Sequence, residues 1–394
     1  MPTSPDTSSE SDVIIIGGGI IGCSIALRLA QARLKVRVLD RGEPGAEATT
    51  AAAGMIAPQG EISDPDEFFE LCAASRDLYP RFVAEIEELS GIGAGYRRDG
   101  TLLVAVGDEE GPGLEKIFAS QTAKGLPIEL LSGAAVRGRV SGLSHNIACG
   151  LYVAGDHWVD NEKLAQALVE ACRRLGVQFS GGSGVTRINT RDGRVESVET
   201  GPTSGAGQSK ISAGRYVLAA GCWSGELMVP LGISLPIDPC RGQMLEFEAP
   251  EELLLPVRAG HHYIVPRSGR RVLAGTTAEY VGLKKEVTAE GLRSIIQGIL
   301  RFAPLLRDLR FRRAWAGLRP DTPDHLPVLG HGELENLVLA TGHFRNGILL
   351  APVTAQLISE VILTGSTSRS IEAYRPSRFA PGPLPGPPAQ GGNS

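Results

Sequence analysis

The chain has little that would place it on nucleic acid, across a membrane or in an oxidising compartment. Its formal net charge of −5 gives no basic excess, so no footprint for a phosphate backbone is expected. Cysteine is sparse: six residues, at 23, 72, 149, 172, 222 and 240. They show neither CxxC nor zinc-like spacing, and read as reduced thiols rather than a disulfide framework or a metal site. No uninterrupted apolar run approaches the ~20 residues of a spanning helix. The opening, Met1 to Asp12, is polar and lacks the basic-then-apolar order of a signal peptide. A cytoplasmic protein with no membrane or nucleic-acid partner is the expectation. Both ends, 1–11 and 376–394, are rich in Ser, Pro or Gly and are expected to be flexible tails.

What is present begins at Val13. Val13, Ile14, Ile15 and Ile16 form a β-branched run suited to a central parallel strand. Gly17, Gly19 and Gly22 follow at the G-x-G-x-x-G spacing, which serves a tight turn, a close approach of phosphate to backbone and close helix packing. Ile21, Ile25 and Leu29 then recur at the helical period, so Ile20 and Ile21 open a helix whose N-terminus faces the turn and suits a pyrophosphate. Val36 to Leu39 returns as a second strand. It ends at Asp40, about twenty residues past the glycines, where a carboxylate holds ribose hydroxyls and repels a 2′-phosphate. NAD and FAD stay open and NADP is disfavoured.

Gly42 to Glu61 is a run of small residues. Ala51, Ala52, Ala53 and Gly54 suit a backbone laid against a flat cofactor ring, and Thr49 and Thr50 offer hydroxyls to a phosphate; a flexible linker is the plain alternative. A long helix is expected over 65–90. Strand-like Gly100 to Val106 and a short helix from Glu115 to Ala123 open a second module. Asp160 caps a helix carrying Leu164, Leu168, Ala171 and Leu175, and the strands after it, closing with Arg215 to Gly221, are read as returning to the first sheet. From 236 to 320 alternating strands suggest an antiparallel sheet with helices on one face, interrupted by a helix from Glu290 to Phe302. A last strand, Asn336 to Ala340, leads into a last helix in which Pro352 falls early enough to be tolerated.

The segments IIIGGGIIGCSIA, TTAAAGMIAP, AAGCWSG, HHYIVPR, WAGLRP and GHFRNGILLAP resemble, over Val13 to Tyr374, the glycine-oxidising branch of the D-amino-acid oxidase/sarcosine oxidase flavoprotein family. The resemblance implies an α/β and α+β fold in which a Rossmann-like FAD domain (12–90, 150–235 and 322–375) interleaves with an antiparallel-sheet substrate domain (91–149 and 236–321). It implies non-covalent FAD and oxidation of glycine, and of small amines such as sarcosine, to the imine and then glyoxylate and ammonia. O2 would be reduced to hydrogen peroxide, the imine would supply thiazole formation in thiamine biosynthesis, and a homotetramer is suggested. Asp40 departs from the glutamate common in these flavoproteins, and the shorter acid still reaches the ribose. The further cofactor contacts implied are Arg41, Met55, Val185, Ala220, Gly221, Trp223, His343, Arg345, Asn346, Gly347 and Ile348. Two other readings stay open: an oxidase or dehydrogenase for sarcosine or a D-amino acid, and a flavin subunit of a heteromeric dehydrogenase.

Oxidising an amino acid removes a hydride from Cα, so the protein must fix the carboxylate and place the C–H beneath the flavin. Arg319 of WAGLRP matches the family's carboxylate-binding arginine, and a guanidinium presents two parallel donors to a carboxylate. Tyr263 matches an active-site tyrosine whose hydroxyl can donate to the same group. Arg345 matches a further active-site arginine. The plain alternative for each arginine is a surface ion pair. In the turn Gly342 to Gly347, helix amides are placed to face the flavin pyrimidine oxygens; the alternative is an ordinary strand-to-helix turn. His261, His262 and His343 cluster near these motifs without ligand geometry, and no metal is assigned. His145, His157, His325 and His331 read as incidental.

Overall fold

A computed structural model describes residues 11–62, 65–202, 209–249 and 253–379. The first sheet has six strands in the order Val328–His331, Leu337–Thr341, Ala213–Leu218, Ser11–Ile16, Val36–Leu39 and Gln178–Ser180. All neighbours are parallel except the first pair. Val13, Ile14 and Ile15 are fully buried, as a β-branched run covered on both faces requires. One face packs on the helices Ile20–Gln31, Glu67–Ser90, Asn161–Arg174 and Gly347–Thr364.

Ser183–Arg191, Arg194–Pro202 and Ser209–Ile211 do not return to this sheet. They form a separate three-stranded antiparallel sheet. Its Ile188, Val195 and Val198 cover Ile14, Ile16, Tyr216 and Leu218 on the other face. Apolar side chains on that face need a cover, and these strands provide it by stacking rather than by edge pairing.

The second sheet has nine strands and takes segments from both stretches expected of a second module. Asp238–Glu248 pairs along its length with Arg310–Asp321 and on its other edge with Arg271–Gly275. Two further strands, Glu129–Ser132 and Ile147–Val153, escaped the sequence reading; the second straddles residue 150, where the first stretch of that module was expected to end. The helix within 236–320 lies on one face, and the sheet's other face carries a helix from the earlier stretch. Ile295, Ile299 and Phe302 of Ala289–Phe302 pack with Leu102 and Val104, whereas Leu114, Ile117 and Phe118 of Gly111–Ala123 pack on Leu103 and Leu151. Leu103 alternates with its neighbours, so the two helices take opposite faces.

The long helix begins at Glu67 because Asp66 caps it, its carboxylate accepting from the Phe69 amide at 2.9 Å. Pro352 lies beyond the first turn of Gly347–Thr364, so it costs the Ile348 carbonyl its helical partner. The long helix compensates. The Tyr79 hydroxyl donates to that carbonyl, while Ser75 Oγ donates to Leu349 O (2.6 Å) and accepts from Val353 N (3.3 Å).

Phe344–Thr364 is 21 residues long and, against the expectation from uninterrupted runs, is apolar enough to span a membrane; 72% of its apolar window is buried inside the protein. Scattered Thr, Gln and Ser hid this from a search for an unbroken run. The tails are shorter than expected. Ser11 pairs with Ala213 in the first sheet, and Pro376–Phe379 forms a turn in which Arg378 meets Asp324 at 2.7 Å. Residues 1–10 and 380–394 lie outside the described residues.

Candidate active site

Two adjoining cavities, of about 170 and 440 Å³, share Gly19, Thr49, Ala219, Gly221, Leu318 and Pro320 and form one cleft. Its floor is the glycine turn. Gly17 has φ +105°, and a β-carbon there would stand 2.3 Å from the Ala219 carbonyl oxygen. Gly22 lines neither cavity; its β-carbon would stand 1.9 Å from Gly17 O, so it serves helix packing rather than contact. Gly19 differs from both. The nearest atom to its β-carbon would be Thr49 Oγ1 at 3.4 Å, on the cavity side.

The larger cavity runs to Asp40. One carboxylate oxygen accepts from Gly18 N (2.6 Å) and the other from Gly42 N (2.8 Å), so Asp40 braces the turn. Burial pushes its carboxyl above the ordinary range, against the lowering effect of those two amides. Arg41 stacks over the Trp223 ring at 4.3 Å, and both line this cavity with Val185, Ala220 and Gly221. Thr49 and Thr50 divide. Thr49 Oγ1 accepts from Ile20 N at 2.9 Å and lines both cavities, whereas Thr50 Oγ1 turns to the Glu47 carbonyl (3.3 Å) and lines neither. They are consecutive in the single turn Ala48–Ala51, where successive side chains point about 100° apart, so only one can face the cleft.

The smaller cavity is walled by Ile20, Ile21, Ala51, Ala52, Ala53, Gly54 and Met55 on one side and by the second sheet on the other. The sheet's register explains that wall. Leu103, Arg258, Tyr263, Gly275, Met244 and Trp315 are successive cross-strand partners, so they share one face. Gly275 opens the row: a β-carbon there would stand 2.3 Å from Met244 Sδ and 3.0 Å from Tyr263 Cε2. Tyr263 is buried, its hydroxyl 3.4 Å from Met244 Sδ, a weak acceptor. Gly317 lets the wall close on the small-residue run, since a β-carbon would stand 2.4 Å from Ala51 Cβ.

Arg319 reaches the cavity from Arg310–Asp321, with Nη1 donating to Thr277 O (3.0 Å) and Nη2 to Thr276 Oγ1 (2.8 Å). Three of its five N–H donors are left beyond these two bonds. Arg345 also lines the cavity, but in an ion pair with Glu61 at 3.1 Å. The sequence reading named Glu61 as the end of the small-residue run and gave it no role in the site. The available signal was an acid closing the uncharged stretch that runs from Ala48 to Gly60. Burial pushes its carboxyl up, but Arg258, Arg345 and Arg319 together bring it below the ordinary range.

His343 lines the cavity. Its ring is buried, with Nε2 3.0 Å from Thr354 Oγ1, and burial pushes its pKa down to about 3. Asn346, Gly347 and Ile348 line the cavity, but the Asn346 amide is committed to His343 O at 2.8 Å. Helix amides facing this space therefore begin at Gly347. The histidines do not cluster: a β-carbon on Gly298 would fall 2.4 Å from the His262 ring, on the face opposite Tyr263. His325 is not incidental to the wall, since it stacks at 4.9 Å on Phe344, a lining residue. Among the described residues no group of three or more His, Cys, Asp or Glu is placed to hold a metal ion.

The cleft fits a flavin dinucleotide. Gly19 leaves backbone open where a β-carbon would intrude, Asp40 and the Arg41–Trp223 stack lie on one side, and a shelf of alanines beside Tyr263 and Arg319 lies on the other.

A family model described as DAO, FAD dependent oxidoreductase, matches residues 12–361. The bifunctional protein ThiO/ThiG of Trichormus variabilis is 38% identical over 374 residues, covering 93% of this chain but 55% of the relative. The chain thus spans about half the length of such relatives. The crystal structure of glycine oxidase from Geobacillus kaustophilus superposes with a TM-score of 0.87 at 31% identity, over 93% of this chain and 98% of that one. The hydrogen cyanide synthase subunit HcnC of Pseudomonas aeruginosa is 30% identical, over 94% and 97% of the two chains. With the family match spanning every strand and loop that builds the cleft, the chain belongs to the DAO family of FAD-dependent oxidoreductases.

Proposed function

We propose that this chain oxidises glycine, and small N-alkylglycines such as sarcosine, to the imine, which hydrolyses to glyoxylate and ammonia (an alkylamine from an N-alkylglycine), with O2 as acceptor and hydrogen peroxide as product. The observation that carries the reading is a single arginine, Arg319, fixed by Thr276 and Thr277 at the wall that also holds Tyr263. A place in thiazole formation for thiamine follows from likeness to proteins named ThiO/ThiG. We further propose that the FAD and substrate domains interleave as the sequence suggested, except that the first stretch of the substrate domain runs on through Ile147–Val153, and that the enzyme works as a homo-oligomer in the cytoplasm.

Bound FAD supplies the hydride acceptor and passes the electrons on to O2. The chain supplies the positions. Gly17, Gly19 and the first turn of Ile20–Gln31 would take the pyrophosphate, Asp40 the ribose, and the Arg41–Trp223 stack the adenine side. The amides from Gly347 onward would face the pyrimidine oxygens, where partial positive charge favours an electron-rich ring. Arg319 orients the substrate carboxylate with its remaining donors, and the Tyr263 hydroxyl exchanges its sulfur contact for that carboxylate. The alanine shelf and Met244 exclude water from the reacting carbon.

Arg319→Ala tests this. Two charge-assisted bonds of roughly 1.5 to 3 kcal/mol each set an expected fall in kcat/KM for glycine of roughly 10² to 10⁴, with FAD retained. Arg319→Lys should recover part of the loss. Wild-type kinetics, or a loss fully accounted for by missing flavin or misfolding, would make Arg319 a structural residue. A second reading is favoured by the HcnC likeness: a flavin subunit active only with partner chains. Hydrogen peroxide release from glycine by the purified chain alone would dismiss it.

A further inference from the structure

Three Asp, Glu, Lys or Arg side chains line the smaller cavity: Glu61, Arg319 and Arg345. The wall thus carries two positive charges and one negative. Glu61 forms an ion pair with Arg345 Nη2 at 3.1 Å through one oxygen and with Arg258 Nη1 at 2.9 Å through the other, with 16% of its side chain exposed. Arg258 shares the wall's face without lining the cavity, and has other acceptors: Gly260 O at 2.8 Å and Gly60 O at 2.9 Å. Glu61 is the ion-pair partner of Arg345 among the described residues. Neutralising Glu61 would leave Arg258 bonded to backbone and would release Arg345 toward the cavity.

Resting on the reading of this cavity as an amino-acid site, we propose that Glu61 sets the charge class of the substrate. By holding Arg345 in an ion pair it leaves Arg319 as the one anion-binding group and restricts the site to amines bearing a single carboxylate. A second carboxylate on the substrate would meet the Glu61 carboxylate across a partly dehydrated gap, where like charges repel strongly. It would also find Arg345 already engaged.

The test uses ligand pairs of matched shape in which a carboxylate replaces a methyl group. Iminodiacetate and N-ethylglycine are the amine pair; malonate and propionate are the non-reacting pair. In the flavin-loaded wild type, N-ethylglycine should be oxidised with a kcat/KM about tenfold or more above that of iminodiacetate, and malonate should bind no tighter than propionate. Wild-type enzyme that prefers iminodiacetate or malonate overturns the proposal without any variant. In Glu61→Gln the iminodiacetate to N-ethylglycine ratio should rise by about tenfold or more, and calorimetry should show malonate tightening relative to propionate by a similar factor. Glu61→Gln/Arg345→Gln should cancel both gains. Ratios that do not move, or gains that survive loss of Arg345, overturn the proposal. If no amine is oxidised by the wild type, the amine-oxidase reading fails, and the malonate to propionate binding ratio still decides the charge rule.

Discussion

The guanidinium of Arg319 lies across the α-carbon of Gly242, where a β-carbon would stand 2.3 Å from Nη2 and 2.5 Å from Cζ. The two residues sit on paired strands, Gly242 opposite Gly317 and Arg319 opposite Cys240. Gly242→Ala should therefore push the guanidinium off its bonds to Thr276 and Thr277. The expected result is a fall in kcat/KM for glycine of roughly tenfold or more with wild-type flavin content. Steady-state kinetics beside the flavin absorbance spectrum will check it; unaltered kinetics would mean the arginine finds equal room elsewhere.

The three glycines of the phosphate turn should separate by phenotype. Gly19→Ala meets only an ordinary contact in the apoprotein, Thr49 Oγ1 at 3.4 Å, so the apo form should melt with wild type yet titrate poorly with FAD. Gly17→Ala and Gly22→Ala would drive a β-carbon into backbone at 2.3 and 1.9 Å. Each should cost the fold about 2 kcal/mol or more before any cofactor is added. Apo thermal unfolding and flavin titration, run on all three, distinguish cradle from scaffold.

Tyr79→Phe should destabilise the protein by about 1 to 3 kcal/mol, because it leaves the Ile348 carbonyl buried without a donor. Denaturant unfolding measures this directly. Restoring the amide with Pro352→Ala in the Tyr79→Phe background should recover much of the loss. No recovery would show that the hydroxyl and the proline are not coupled.

Asp156 gives a pH signature. It is fully buried and accepts from Thr101 Oγ1 (2.7 Å), Gly60 N (3.0 Å) and Gln59 N (3.3 Å). Burial, only partly opposed by these donors and by Arg76, raises its pKa from the ordinary 3.8 to about 7. Between those two values the folded chain holds a proton that the unfolded chain releases, so this group's contribution to stability falls as pH rises, and levels off above about 7. From pH 5 to 7 the fall is on the order of 2 kcal/mol. Asp156→Asn should lack that slope in unfolding curves collected at several pH values.

Much of this site was legible because its chemistry is local. The glycine turn, Asp40 and the cap at Asp160 each lie within a short segment whose spacing marks them, and the arginine of WAGLRP was picked out by the family resemblance. Thr50 and Gly22 were assigned to the cofactor because a one-dimensional motif does not say which side of a turn faces the cleft. Glu61 was missed for a different reason: its partners Arg258 and Arg345 come from segments about 200 and 280 residues further along the chain. The sheet that stacks instead of joining was missed because alternating apolar residues read the same in either arrangement.

The first sheet seats Ala213–Leu218 between Ser11–Ile16 and Leu337–Thr341. The cleft is therefore closed by the two most distant parts of the described chain, with the other sheet's strands threaded between them in sequence. Such an enzyme does not divide at its domain line. A chain cut before Leu337 would lose an interior strand and the helix that Ser75 and Tyr79 complete, leaving the Tyr216–Leu218 edge open to other strands. Split-protein complementation and fusion partners belong on surface turns such as Asp192–Gly193, which joins two strands of the stacked sheet, and not at the junctions that sequence order alone would suggest.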